Sequence, residues 1–312
     1  MVTLKCEHSE FTSLTLFSDF HSSYQLSQYL ISKKTNIRRN FDSVVSSKQD
    51  NNRENMIELY HNDMSVCAQK VRLVLAYKQI AWESKHLNLR AGEQFDPNFL
   101  KINPKAVIPV LVHDSKIVTE SNVICYYLDE VFEEQRLMPQ LPIKRAEVRV
   151  WLTRLDAGLH EQIAVISFCL AFRQQILNRY ATDDALETFL NTIPDPSREA
   201  VMRDMVKNGM SSPRLKLAIY AYKKLVNDLA NTLEKNDWIV SSGMSLADFA
   251  FVPYIERLEQ LQLKSLWANY PQIDEWLARV RKTEAYKIGM LKWHNQEYIQ
   301  LMAAAKTHAI DL

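Results

Sequence analysis

Residues 57–74, IELYHNDMSVCAQKVRLV, pass from strand to helix within a few positions, and this leaves few folds open. Ile57, Leu59 and Tyr60 form a short apolar run that reads as a strand. His61-Asn62-Asp63-Met64 reads as a polar turn. From Ser65 onward, Val71, Val74, Leu75 and Tyr77 recur at helical spacing. A hydroxyl and a thiol, Ser65 and Cys67, therefore stand where a helix begins. The first N–H groups of a helix have no partner within it and carry partial positive charge. That setting favours a thiolate. The thiolate belongs either to the chain or to a bound ligand, and the residues alone leave both open.

The chain has 312 residues, which suits two domains better than one. Its 5 glycines disfavour phosphate-cradling loops, and neither GxGxxG nor GxxxxGK occurs. A net charge of +1 argues against a nucleic-acid partner bound through bulk charge. The four cysteines, Cys6, Cys67, Cys125 and Cys169, show no CxxC pair. No metal is expected, and a reducing, cytoplasmic location is. The longest apolar run, residues 163–172, is far short of the roughly 20 residues of a membrane span. It is expected to be a buried helix segment.

Residues 1–55 are serine-rich, lack glycine and proline, and end in a polar run. They are expected to be a poorly ordered extension, with one short helix near residues 23–32. No sustained apolar stretch marks a secretory signal.

The first folded segment is expected at 56–132. A second strand is expected within residues 82–89, followed by a short helix and loop through Ile102. Asn103-Pro104-Lys105-Ala106-Val107-Ile108-Pro109 is a proline-bracketed turn that leads into a strand. Asp114-Ser115-Lys116 then turns the chain into a hairpin. Thr119-Glu120-Ser121-Asn122 opens a helix with Val123, Ile124, Tyr127, Leu128 and Val131 in period. The order is β-α-β-α-β-β-α, a thioredoxin-like layer. A two-proline linker at 133–143 leads to an all-helical segment at 144–312. A polar stretch at 182–210 reads as an insertion between two long helices. Ser245 and Asp248 fit a capping box before an apolar helix. Lys70 and Arg72 are expected to be surface or interface charges, and His61 and His113 structural.

Three strings, SVCAQKVRL, INPKAVIPVLV and VTESNVICYYLDEVF, match in spacing and order the thioredoxin-like half of cytosolic glutathione S-transferases. The first resembles the S-x-C-x-x-(K/R)-V-R segment of zeta-type enzymes. The second resembles bacterial tetrachlorohydroquinone reductive dehalogenases, and the third is similar to bacterial β-aryl-etherases. The resemblance extends from residue 56 to about residue 305 and implies a glutathione transferase acting on a small electrophile, apolar or aromatic.

By that resemblance Ser65 donates a hydrogen bond to the glutathione sulfur. A free thiol of pKa ~8.5 is only a few per cent ionised at pH 7, and lowering it by about two units raises the thiolate roughly twenty-fold. Cys67 matches the cysteine that, in the dehalogenases, forms a mixed disulfide with a glutathionyl intermediate. Ile108-Pro109 matches a cis bond whose preceding backbone pairs with the cysteinyl unit of glutathione. Glu120 and Ser121 would hold the γ-glutamyl end, and Lys105 the glycyl carboxylate. Relatives often carry glutamine where this chain has Val107, so one contact at the glycyl end is missing. Trp151, Leu155, His160 and Phe168 are expected to line the electrophile pocket. Homodimerisation is implied by kinship. Two rival readings remain: a glutathione-dependent reductase or dehalogenase cycling Cys67 through a disulfide, and a non-catalytic glutathione-fold interaction module.

Overall fold

A computed structural model describes residues 56–240 and 242–305. The expected N-terminal extension and its short helix lie outside the described residues. Residues from Met56 on belong to one compact unit.

Strand β1 (Ile57–His61) buries Ile57, Leu59 and His61, the period-two pattern of a strand against a core. Helix α1 (Val66–Tyr77) returns the chain to β2 (Glu83–His86), which runs parallel to β1. A single 3₁₀ turn and α2 (Pro97–Ile102) lead to β3 (Val110–His113), antiparallel to β1 with Tyr60 opposite Val110. Asp114 and Ser115 both take positive φ, the two-residue turn that suits strand twist. That turn delivers β4 (Lys116–Val118) against β3, so the sheet order is β2-β1-β3-β4. Helix α3 (Ser121–Val131) closes this half. The observed order is the thioredoxin-like one read from the sequence.

Helix α1 is buried on all sides from Val66 to Leu75, packed by α3 and by two helices of the second half. Lys70 and Arg72 are therefore not surface charges, because each is only 1% exposed. Arg72 donates to the carbonyls of Asn62, Asp63 and Gly289 at 2.7–2.9 Å and so ties the β1–α1 turn to the second half. A Cβ at Gly289 would lie 2.6 Å from the Arg72 carbonyl oxygen, so this helix contact requires glycine.

The segment after α3 is anchored. Lys78 meets Asp129 at 2.9 Å, and Asp129 accepts from the backbone N–H groups of Leu137 and Met138. Pro142–Arg179 is then a succession of helices kinked at Gly158. It comprises α4 (Pro142–Arg154), α5 (His160–Ser167) and α6 (Arg173–Arg179), joined through π turns at Leu155–Leu159 and Phe168–Phe172. The run is long and apolar enough to cross a membrane by length and composition alone. However, Val148, Leu152, Leu155, Ile163 and Ile166 are each at most 1% exposed and belong to the core.

The polar 182–210 stretch folds as two capped helices, α7 (Asp183–Leu190) and α8 (Pro196–Asn208). Thr182 caps the first and Asp195 the second, with Pro196 at the tolerated first position. Helices α9 (Pro213–Leu233), α10 (Leu246–Gln260), α11 (Pro271–Arg281), α12 (Glu284–Gly289) and α13 (Gln296–Ala303) complete the bundle. The capping box forms: Asp248 accepts from the Ser245 N–H at 2.8 Å. It also accepts from the Ile239 N–H and the Trp276 indole.

Candidate active site

A cavity of about 680 Å³ lies between the two halves. One wall is the 104–109 loop together with Glu120 and Ser121. The floor is Cys67 and Lys70 of α1, and the opposite wall carries Leu155, Asp156, Gly158, His160 and Tyr254. Pro194, Asp195, Pro196 and Arg198 reach its mouth from the α7–α8 connection, where Arg198 donates to the Lys105 carbonyl at 2.8 Å. A second cavity of about 440 Å³, near Phe95, Tyr180 and Phe189, is lined by no ionisable carboxylate, amine, imidazole or thiol. It offers no acid, base or nucleophile of those kinds.

Each residue singled out in the sequence has a definite place. The Ile108–Pro109 bond is cis, and both residues line the cavity. Ser121 is the first residue of α3, and Glu120 precedes it with φ 64 and ψ 112, a conformation rarely held without compensation. Lys105 and Glu120 are both exposed and pair with each other at 2.8 Å. Ser65 is the N-cap of α1, and its hydroxyl accepts from the Ala68 N–H at 3.3 Å. It does not line the cavity, whereas Cys67 does. Of the four residues expected in the electrophile pocket, Leu155 and His160 line it. Trp151 packs edge-on to Phe251, and Phe168 sits in the core.

Around Cys67 the geometry is that of an ion pair. Its Sγ lies 3.4 Å from His160 Nδ1 and 3.6 Å from the Tyr254 hydroxyl, which is itself 3.3 Å from His160 Nδ1. Burial pushes the thiol up. The charges of His160 and Lys70, and hydrogen bonds from His160 and Ser121, outweigh it and bring Cys67 down to about 6. The Cys67 charge raises His160 in turn, against the burial that would lower it. Burial raises Tyr254, so its hydroxyl stays a neutral donor. Lys70, buried beneath, donates to Asn122 Oδ1 at 2.5 Å. Asn122 Nδ2 in turn reaches Asp156 at 2.9 Å. The other described thiols contrast with this one, since burial pushes Cys125 up to about 12 and Cys169 to about 11. Among the described residues no group of three His, Cys, Asp or Glu side chains converges as a metal site.

Tyr254, Asn122 and the buried role of Lys70 escaped the sequence reading. Tyr254 sits mid-helix in an apolar segment, indistinguishable there from a core tyrosine. Lys70 carried one usable signal, a cation one turn after Cys67 on a helix with little polar face.

Residues 56–130 match the glutathione S-transferase N-terminal domain, and residues 218–284 match the C-terminal domain. The protein LigF of Sphingobium sp. (strain NBRC 103272 / SYK-6) is 30% identical over 240 residues, 74% of this chain and 91% of the relative. The chain belongs to the glutathione S-transferase family. The crystal structure of LigF, titled a beta-etherase, superposes with a TM-score of 0.68 at 29% identity, covering 76% of this chain and 99% of that one. Glutathione S-transferase TCHQD of Arabidopsis thaliana is 26% identical over 74% of this chain and 88% of its own length. A probable maleylacetoacetate isomerase of Vibrio cholerae is 26% identical over 73% and 92%. As a member of this family the chain is a glutathione-dependent enzyme of the transferase or reductase type, and glutathione is the family's co-substrate.

Proposed function

We propose that the chain is a glutathione-dependent reductase of glutathionyl conjugates, with Cys67 as its nucleophile. The observation that carries this is the contrast within one turn of α1. Cys67 lines the cavity with its Sγ 3.4 Å from His160 Nδ1, while the Ser65 hydroxyl serves the Ala68 N–H outside it.

In this reading glutathione lies along the 104–121 wall. The N–H and C=O of Ile108 pair with its cysteinyl backbone as an added strand does. The N–H groups at the start of α3 take the γ-glutamyl carboxylate, joined by the Ser121 hydroxyl as it turns from Cys67, and Glu120 takes the ammonium. Lys105 turns from Glu120 to the glycyl carboxylate. The conjugate's organic group then fills the side lined by Leu155, Gly158 and Tyr254. Cys67 attacks the conjugate sulfur and forms a Cys67–glutathione disulfide, and the organic group leaves with a proton. A second glutathione displaces Cys67 and departs as glutathione disulfide. The likeness to a beta-etherase supports an ether-bearing electrophile as the origin of such a conjugate. The free thiols Cys67, Cys125 and Cys169 fit a reducing, cytoplasmic location. We place the protein there as a homodimer, on family grounds.

The test pairs Cys67→Ser with Ser65→Ala. Each is assayed on S-phenacylglutathione and on a generic aromatic electrophile with free glutathione. The expected result is loss of thioether cleavage, by at least roughly a thousandfold, in Cys67→Ser alone. Loss of both activities in Ser65→Ala, with Cys67→Ser active, would instead identify conjugation by glutathione thiolate as the function.

A further inference from the structure

His160 reaches Cys67 because its helix is interrupted. The π turn at Leu155–Leu159 contains Gly158 at φ 130 and ψ −20, a conformation that favours glycine. The backbone leaves helical geometry at Gly158, so the run kinks there and the side chains that follow are re-aimed. The turn is held in place: the Leu159 carbonyl accepts from the buried Tyr222 hydroxyl of α9 at 2.9 Å. His160 is the first residue after it, with Nδ1 3.4 Å from Cys67 Sγ and 3.3 Å from the Tyr254 hydroxyl.

Every group facing the imidazole can be named. Cys67 and Lys70 face it from α1, Tyr254 from α10, and Asp156 from its own helical run. The Tyr222 hydroxyl is engaged by Leu159, and neighbouring Glu161 lines the cavity beyond. Of these, the Cys67 sulfur lies 3.4 Å away and is brought down to about 6 by the charges around it.

We infer that His160 is a catalytic acid and base of the Cys67 cycle, delivering a proton to the departing carbon group and recovering it from the second glutathione. The inference rests on the reading of Cys67 given above. In the first step the Cys67–sulfur bond forms and the sulfur–carbon bond breaks. The electron pair leaves with the carbon, and the His160 imidazolium N–H protonates that carbon or its conjugated oxygen. In the second step the sulfur of glutathione forms the new disulfide. Its proton passes to neutral His160, and Cys67 leaves as thiolate. The thiolate–imidazolium pair is restored and glutathione disulfide is released. One thiol and one thioether sulfur have become the disulfide while the carbon has gone from C–S to C–H, so the cycle balances without a further cofactor. Tyr254 is a positioning residue, because its neutral hydroxyl bridges the sulfur and the imidazole.

Two substrates separate donating the proton from merely ionising Cys67. Cleavage of S-phenacylglutathione releases an enolate that needs a proton. Exchange with glutathione disulfide releases a thiolate that does not. His160→Asn, in a Cys6→Ser background, should move the pH midpoint of Cys67 alkylation by iodoacetamide upward by at least about one pH unit. At alkaline pH, where Cys67 is again ionised, disulfide exchange should return to the parent rate. Thioether cleavage should stay about a hundredfold slow. Recovery of both reactions would overturn the donor role, and an unmoved alkylation midpoint would overturn the ion pair. Loss of neither activity in Cys67→Ser would instead overturn the reading beneath it. Should His160→Asn fail to fold, the unmutated protein decides. Its His160 imidazole NMR titration midpoint should fall when Cys67 is alkylated. A titration that does not move refutes the pairing.

Discussion

The 104–121 wall of the cavity presents mainly backbone and helix-end groups, whereas the helical wall presents side chains. On the first, cis Ile108–Pro109 and the start of α3 offer N–H and C=O groups whose positions follow from chain geometry. Its charged pair, Lys105 and Glu120, is exposed. On the second, His160 and Tyr254 come from helices far apart in sequence and meet a thiol from the other half. The backbone wall suits a constant ligand such as a peptide, and a change at an exposed side chain such as Lys105 should alter it little. The side-chain wall does chemistry and should fail on single changes, including ones distant from the cavity.

Four substitutions test that contrast. The largest effect should come from Asp248→Ala at the start of α10, the helix that carries Tyr254. It strands the Ile239 and Ser245 N–H groups and the Trp276 indole, all buried, for about 3–5 kcal/mol of stability in denaturant unfolding. One shared transition is expected. A second transition, from a surviving first half, would show the walls to be independent.

Next is Lys70→Met, which removes a cation that lowers Cys67 while keeping the side-chain length. Thiolate is the reactive form, so alkylation of Cys67 in the parent should fall as pH drops through about 6. In the variant the profile should move to higher pH. Below the new midpoint the rate should drop roughly tenfold for every pH unit by which the midpoint has risen. An unmoved profile would mean that His160 alone sustains the thiolate.

Ser65→Ala should remove a helix cap worth about 1 kcal/mol, visible in thermal unfolding, and leave turnover within about twofold. A large loss of turnover would move the chemistry back to Ser65 and dissolve the contrast. Smallest of all is Lys105→Ala. Its ion pair is exposed and screened, so the KM for glutathione should rise less than about threefold with kcat unchanged.

Much of the backbone wall could be read from the string of residues. The Asn103-to-Pro109 turn, the hairpin after it and the opening of α3 are local, and their signals are prolines, turn residues and a change of period. The capping box of α10 was legible for the same reason, since Ser245 and Asp248 satisfy N–H groups within one turn. The 182–210 stretch reads as a polar insertion in sequence because α7 and α8 bury few residues fully, Leu190 in the first and Met205 and Val206 in the second. Thr182 and Asp195 cap them, and α7 carries an apolar stripe of Ala185, Leu186, Phe189 and Leu190.

The sequence by itself determined the β-α-β-α-β-β-α order, the proline-bracketed turn at 103–109, and the presence of Ser65 and Cys67 at the start of one helix. All of these are set by neighbours within a few residues. Only the tertiary structure decided which of the two faces the cavity, that Lys70 is buried, and that His160 and Tyr254 converge on Cys67. Those facts depend on how α1 is enclosed and on the kink at Gly158 that precedes His160. Contact across 93 positions of sequence leaves no periodic trace in the chain. It is fixed by the packing of whole helices.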